Sequence, residues 1–240
     1  MNKYLLLATT GICVIGTMNA TYADESSINS TSTTVATKTT SPDRLAFQEK
    51  ARLLREKNKE MHATSQEARK DFRTENKDAI KENKKTLTPE QITEIQKAHD
   101  ERKAYVESLK DLTPEQKALK LTELEAKIKA EIELKYQNAT GALSEKRMSV
   151  YEQNAARRAE MMTNQLEIRS ARGTLRVSEV DAMITKITAE LPNLSTEKKT
   201  KLAQKIDEKI VKIQANKRLP DTSKTEIVTK LTVLRNEVIK

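Results

Sequence analysis

LTPEQITEIQKAHDERKAYVESLKDLTPEQKALKLTELEAKIKAEIEL, residues 87–134, carries the same five residues twice, at Leu87–Gln91 and at Leu112–Gln116. Each copy reads as a helix start. Thr88 and Thr113 are N-caps, Pro89 and Pro114 take the first helical position, and Gln91 and Gln116 stand three residues past the cap. Behind each cap runs a helical-period apolar stripe. The first holds Ile92, Ile95, His99, Val106 and Leu109 over about 89–110. The second holds Leu121, Leu124, Ile128 and Ile132 over about 114–137. Two helices joined by so short a link are expected to lie antiparallel.

The rest of the chain extends this plan. Ser41-Pro42 caps a long helix over about 42–85. Its stripe is thin: Phe47, Leu54, Met61 and Ala68 recur every seven residues, joined by Ala51, Phe72 and Ala79. Such a helix needs a partner, and a second copy of the chain is one candidate, which leaves a homodimer open. Asn138–Gly141 is a turn. Ser144 is expected to cap a helix over 145–172 with Met148, Tyr151, Ala155, Ala159, Met162 and Leu166 inward, and Gly173 to stop it. Residues 174–240 then read as a separate three-helix bundle. Ser178 with Asp181 opens its first helix (Val180, Ile184, Ile187, Leu191), which Pro192 ends. Ser195 caps the second (Leu202, Ile206, Ile210, Ile213). Thr222 or Ser223 caps the third (Ile227, Leu231, Leu234, Val238).

Composition agrees with an all-α fold of long helices and antiparallel hairpins plus that C-terminal bundle. Of 240 residues 4 are Gly and 5 Pro, while 33% are charged and 3% aromatic, with no Trp. Helix formers dominate. A core must come from Leu, Ile, Val, Met and Ala stripes, which suits bundles better than a pocketed enzyme domain.

The first 23 residues read as a signal peptide. Lys3 opens it, Leu5–Met18 forms an apolar core, and Thr21-Tyr22-Ala23 makes a small-x-small exit. That core is shorter than the roughly 20 residues a spanning helix needs. Cys13, the one cysteine, leaves with it. Residues 24–41 form a Ser/Thr-rich tether of disordered composition. The mature protein is expected to be periplasmic or secreted, with no transmembrane segment after cleavage. The formal net charge is +9. The excess lies in 42–86 and 174–240, whereas 87–141 is slightly acidic. It suits acidic partners or anionic envelope polymers. Nucleic acid is not expected as a partner, because stacking aromatics and a dense basic block are lacking.

No residue pattern points to catalysis. The two histidines, His62 and His99, lack metal-ligand spacing and companions. No phosphate loop or nucleophile elbow occurs. The carboxylates alternate with lysines as on a solvated helix face. No catalytic residue, metal ligand or cofactor site is therefore assigned, and the expectation is a non-enzymatic protein.

The doubled LTPEQ on an exported, basic, helix-rich chain resembles the LTxxQ-motif periplasmic family, the Spy/CpxP-like proteins. The likeness covers residues 42–172. It implies an all-helical, cradle-shaped dimer that holds unfolding proteins without ATP under envelope stress. It places Leu87, Thr88, Gln91, Leu112, Thr113 and Gln116 in a structural role at hairpin ends. The expectation is an ATP-independent periplasmic chaperone or stress-associated binding protein for unfolded or envelope proteins. Phe47, Leu54, Met61 and Phe72 are the candidate client contacts. The alternative is a structural or adhesive cell-envelope coiled-coil or spacer protein.

Overall fold

The computed structural model describes residues 41–240. The expected signal peptide and all of the tether except Ser41 lie outside the described residues. The described chain is all-α: α1 Pro42–Glu75, α2 Lys77–Lys85, α3 Pro89–Ser108, α4 Pro114–Lys135, α5 Gly141–Glu190, α6 Thr196–Ala215 and α7 Asp221–Val238. A 3₁₀ turn, Leu191–Asn193, links α5 to α6. None of these helices is long and apolar enough to cross a membrane.

The spine is α5. Its 50 residues span about 75 Å at 1.5 Å per residue. The remaining helices sit along it. α1 runs antiparallel to it over most of its length, tied by Arg44–Glu179 near one end and by Lys57–Glu160 further along. α4 packs antiparallel on its first half, and α3 packs on α4. α7 lies along its second half. There residues some 50 apart in sequence face each other, so the two helices run parallel: Arg169 meets Leu219, and Asp181 meets Lys230. α6 closes the far end against α7.

Several helix ends follow from local chemistry. Ser41 Oγ accepts from Arg44 N, and Pro42 fills the first turn. Both capping boxes of the doubled motif are formed, in α3 and in α4. Ser195 accepts from Lys198 N to start α6.

Four boundaries differ from expectation. The single helix over 42–85 is broken at Asn76, whose backbone N and side-chain Nδ2 both donate to Phe72 O at 3.1 and 2.9 Å. An Asn side chain competes with the helix ladder in this way and ends it. The stop at Gly173 does not occur, and α5 runs through it, leaving Ser144, Ser178 and Asp181 as interior residues. Thr140, not Ser144, stands at the N-cap of α5. Gly173 serves packing instead: a Cβ built there would lie 2.3 Å from Ser223 Oγ and 3.1 Å from Pro220 Cδ. Its bare backbone lets the start of α7 close on α5. Last, α7 begins at Asp221 behind Pro220, so Thr222 and Ser223 are in its first turn and do not cap it.

The dry core lies at the C-terminal end. Val180, Ala203, Ile206, Ile213, Leu219, Ile227, Leu231, Leu234 and Val238 form one buried cluster. α7 alone buries Ile227, Leu231, Leu234 and Val238, every one at 1% exposure or less.

Candidate functional site: the seam between α1 and α5

α1 meets α5 through a stripe that is apolar in sequence and polar at its edges. Phe72 is buried, while Phe47, Leu54 and Met61 are half-buried. Arg172 lies over the Phe47 ring at 5.9 Å, and Arg147 over Phe72 at 5.7 Å. Phe72 also meets Tyr136 edge-on, with ring centroids 6.1 Å apart. The four candidate contacts therefore lie along the face of α1 that α5 covers within the same chain. The exposed large apolar residues of α1 are Leu45 and Leu53.

The seam is thinly apolar. α1 buries Ala51, Ser65 and Phe72 and nothing else of its 34 residues. Four of the nine residues that α5 buries are Asn or Arg: Arg158 and Arg169 turn to Glu125 and Glu115 of α4, Asn154 bonds within α5, and Asn164 meets α1. Asn164 Nδ2 donates to Asn58 Oδ1 across the seam at 2.8 Å. Ser65 Oγ, 4% exposed, has no hydrogen-bond partner among the described residues. Lys50–Glu167 and Lys57–Glu160 rim it at 2.8 and 2.7 Å, both about half exposed. Such exposed pairs contribute roughly 0–1 kcal/mol each.

The doubled motif lies at the ends of the α3–α4 hairpin. Thr88 Oγ1 accepts from Gln91 N at 3.3 Å, and Gln91 Oε1 accepts from Thr88 N at 2.8 Å. In the second copy Thr113 and Gln116 exchange the same bonds at 3.4 and 2.9 Å. The first copy also reaches outward. Asn138, in the turn after α4, donates to Gln91 Oε1 and to Thr86 O. The second abuts α5 through Glu115, which pairs with Arg169 Nε at 2.8 Å. Leu87 and Leu112, just before the caps, are both half-buried.

Between α3 and α4 sits a buried carboxylate, Glu131, held by Arg102 Nε at 2.5 Å, by Lys135, and by His99 Nδ1 at 3.2 Å. Burial pushes the Glu131 carboxyl up, but the hydrogen bonds and charges of Lys135 and Arg102 outweigh it and hold it at about 2. His99 thus belongs to an ion-pair network that joins two helices. No group of His, Cys, Asp or Glu among the described residues is arranged to hold a metal ion.

Sequence reading placed five of six expected α5 residues inward and missed the most buried arc. Of its expected stripe, Tyr151 is buried, Met148, Ala155, Met162 and Leu166 are half-buried, and Ala159 is exposed. The reason is that α1 and α4 both cover this helix. The most buried arc lies between two apolar flanks, and Asn154, Arg158 and Met161 occupy it. A period-based search for one apolar stripe has no means of finding a polar line between two partial ones. The signal available was Asn154, Arg158 and Met161 themselves, which repeat at coiled-coil spacing of four and three.

The chain matches no protein-family model, no curated protein and no solved structure.

Proposed function

We propose that the protein is an exported, non-enzymatic helical binding protein, an ATP-independent chaperone of the cell envelope whose client surface is the α1–α5 seam. The observation that carries this reading is the polar lining of an otherwise apolar interface. Replacing hydrophobic contacts by the Asn58–Asn164 pair and the buried Ser65 weakens helix packing, because opening lets water satisfy the same groups. Opening α1 from α5 would uncover Phe47, Leu54 and Met61 on one side and Met161, Met162 and Leu166 on the other. Methionine-rich apolar surfaces adapt to many partners. The resemblance to the LTxxQ-motif family supports the same assignment, with the two capping boxes keeping the α3–α4 hairpin intact while α1 moves.

The test is capture of a denatured client by mature protein without nucleotide or metal. Aggregation should slow at near-stoichiometric ratios. Leu54→Ser with Met61→Ser should weaken protection while α3 to α7 stay helical. A mature protein inert toward several unrelated clients would remove the chaperone reading.

The alternative, a structural or adhesive envelope spacer, draws on α5 itself. A continuous helix of 50 residues braced by shorter ones suits a rigid strut. Self-association into long assemblies, with no effect on client aggregation, would favour it.

A further inference from the structure

Near the Asn76 break, cations gather at the seam with little to balance them. Arg69 and Arg73 stand one turn apart on α1, and Arg147 and Arg158 face them from α5. Arg69 is half-buried, yet it makes no hydrogen bond or ion pair with any of the described residues. Burial lowers its guanidinium to about 10, and the charges of Arg158, Arg147 and Arg73 add to the fall. Burial likewise lowers Arg147, to which Arg73 contributes. The carboxylate that bears on Arg69 is Glu125. It is already taken in two bonds, from Arg158 Nε at 2.5 Å and Nη2 at 2.6 Å.

Four guanidiniums against one carboxylate leave a local excess of three positive charges. Proteins seldom keep partly buried charges unpaired, because desolvation penalises them and like charges repel. Part of the donor set is also left available. Arg147 is stacked on Phe72, which occupies its face, and its N–H edge is shared with the Tyr136 hydroxyl. Arg158 spends Nε and Nη2 on Glu125 and keeps Nη1. Arg73 is exposed, so the group can be reached from solvent. Planar guanidinium forks of this kind match oxyanions of phosphate geometry.

We propose that Arg69, Arg73 and Arg147, with the free edge of Arg158, form a binding site for a phosphate-type oxyanion carrying two or more negative charges. The anion would bridge α1 to α5 and neutralise the cluster. It would strengthen this end of the seam, leaving the Phe47 end as the one that opens. The same chemistry is offered by a free polyphosphate and by an anionic lipid headgroup.

The experiment uses the full mature chain, with pyrophosphate as the soluble probe and phosphatidylglycerol vesicles as the lipid probe. Calorimetry should show saturable binding of one pyrophosphate per chain. Pyrophosphate at tenfold over its Kd should raise Tm by about 4 °C. Arg69→Gln and Arg147→Gln should each weaken binding by about tenfold or more, the worth of a charge-assisted hydrogen bond. Lys205→Gln, an exposed change on α6, should leave it within about twofold. Without anion, Arg69→Gln should be no less stable than the parent, since it removes repulsion. Vesicles that compete with pyrophosphate assign a headgroup as ligand, and vesicles that do not compete assign a free anion. Three results would each overturn the site: equal affinity in Arg69→Gln, equal loss in Lys205→Gln, or vesicles that compete with pyrophosphate yet bind both arginine variants unchanged.

Discussion

Residues 42–172 and 174–240 are made from the same helix-forming alphabet, yet the first buries polar side chains among apolar ones and the second buries apolar ones. In the C-terminal region three helices close on a dry cluster of Val, Ala, Ile and Leu. Around the first half of α5 the buried set includes Ser65, Lys117, Glu131, Asn154, Arg158 and Asn164. A dry core is strong and intolerant, since each side chain loses its contacts when its neighbours move. A polar seam keeps its geometry through directional bonds, and water can replace those bonds when it opens. The difference assigns anchoring to one end of the molecule and adaptability to the other.

The largest expected effect tests the dry end. Ile206 is 3% exposed within the cluster. Ile206→Asp would bury an unpaired carboxylate at a cost of several kcal/mol, comparable to the whole stability of a small domain. Hydrogen exchange should then show α6 and α7 losing protection while α3 and α4 keep theirs. Loss of protection throughout the chain would erase the distinction between the two regions.

Next is the buried ion network of the hairpin. Glu131→Ala leaves Arg102 largely buried without its counter-ion, and breaking such pairs costs about 3–5 kcal/mol. The same carboxylate predicts a pH dependence. Its folded value of about 2 lies below the ordinary 4.5. Protons therefore bind the unfolded chain first, so the stabilisation is full above pH 4.5 and drains away as pH falls toward 2. Tm measured across that window should fall more steeply in the parent than in Glu131→Ala. Parallel slopes would show that Glu131 does not carry the acid sensitivity.

A smaller effect concerns the joint between the regions. Gly173→Leu must push Ser223 and Pro220 off α5, and overpacking of this kind costs about 1–3 kcal/mol. Arg169, one turn earlier, donates to Lys217 O and Leu219 O at 2.8 and 2.7 Å. Arg169 and Gly173 both lie outside 174–240, and the first helix of that unit is the continuation of α5. An isolated 174–240 fragment should therefore melt below a fragment that begins at residue 164. Equal melting would make 174–240 independent, as its three capped apolar stripes alone suggest.

What could be read from the sequence follows the same divide. Every apolar position expected in 174–240 is buried or half-buried, because one stripe per helix facing one core is what helical periodicity encodes. Thr88, Gln91, Thr113 and Gln116 were legible because a capping box is local chemistry. The long-range matters were not. Gly173 looks like a stop in sequence and is a contact point in space, and only Ser223, fifty residues away, reveals it. The seam escaped as well, since Phe47, Leu54 and Met61 announce an apolar face without saying that α5 covers it. Asn154, Arg158 and Asn164 read as solvated until two helices are laid over them. The arginine cluster needs α1 and α5 side by side before Arg69 is seen to lack a partner.

The smallest effect bears most directly on function. Asn58 and Asn164 bond to each other at 2.8 Å. Replacing both by Leu removes the pair together, so no polar group is stranded, and exchanges of this kind are near neutral or stabilising. Asn58→Leu with Asn164→Leu should thus gain about 1 kcal/mol from the added apolar burial. A gain of that size reduces the open population of the seam about fivefold. If clients enter by that opening, the more stable variant should protect them less, at unchanged helicity. The single variant Asn164→Leu strands Asn58 and should move both readouts the other way. A doubly substituted chain that is more stable and captures clients as well as its parent would break the link between the polar seam and client binding, and move the search to the exposed Leu45 and Leu53.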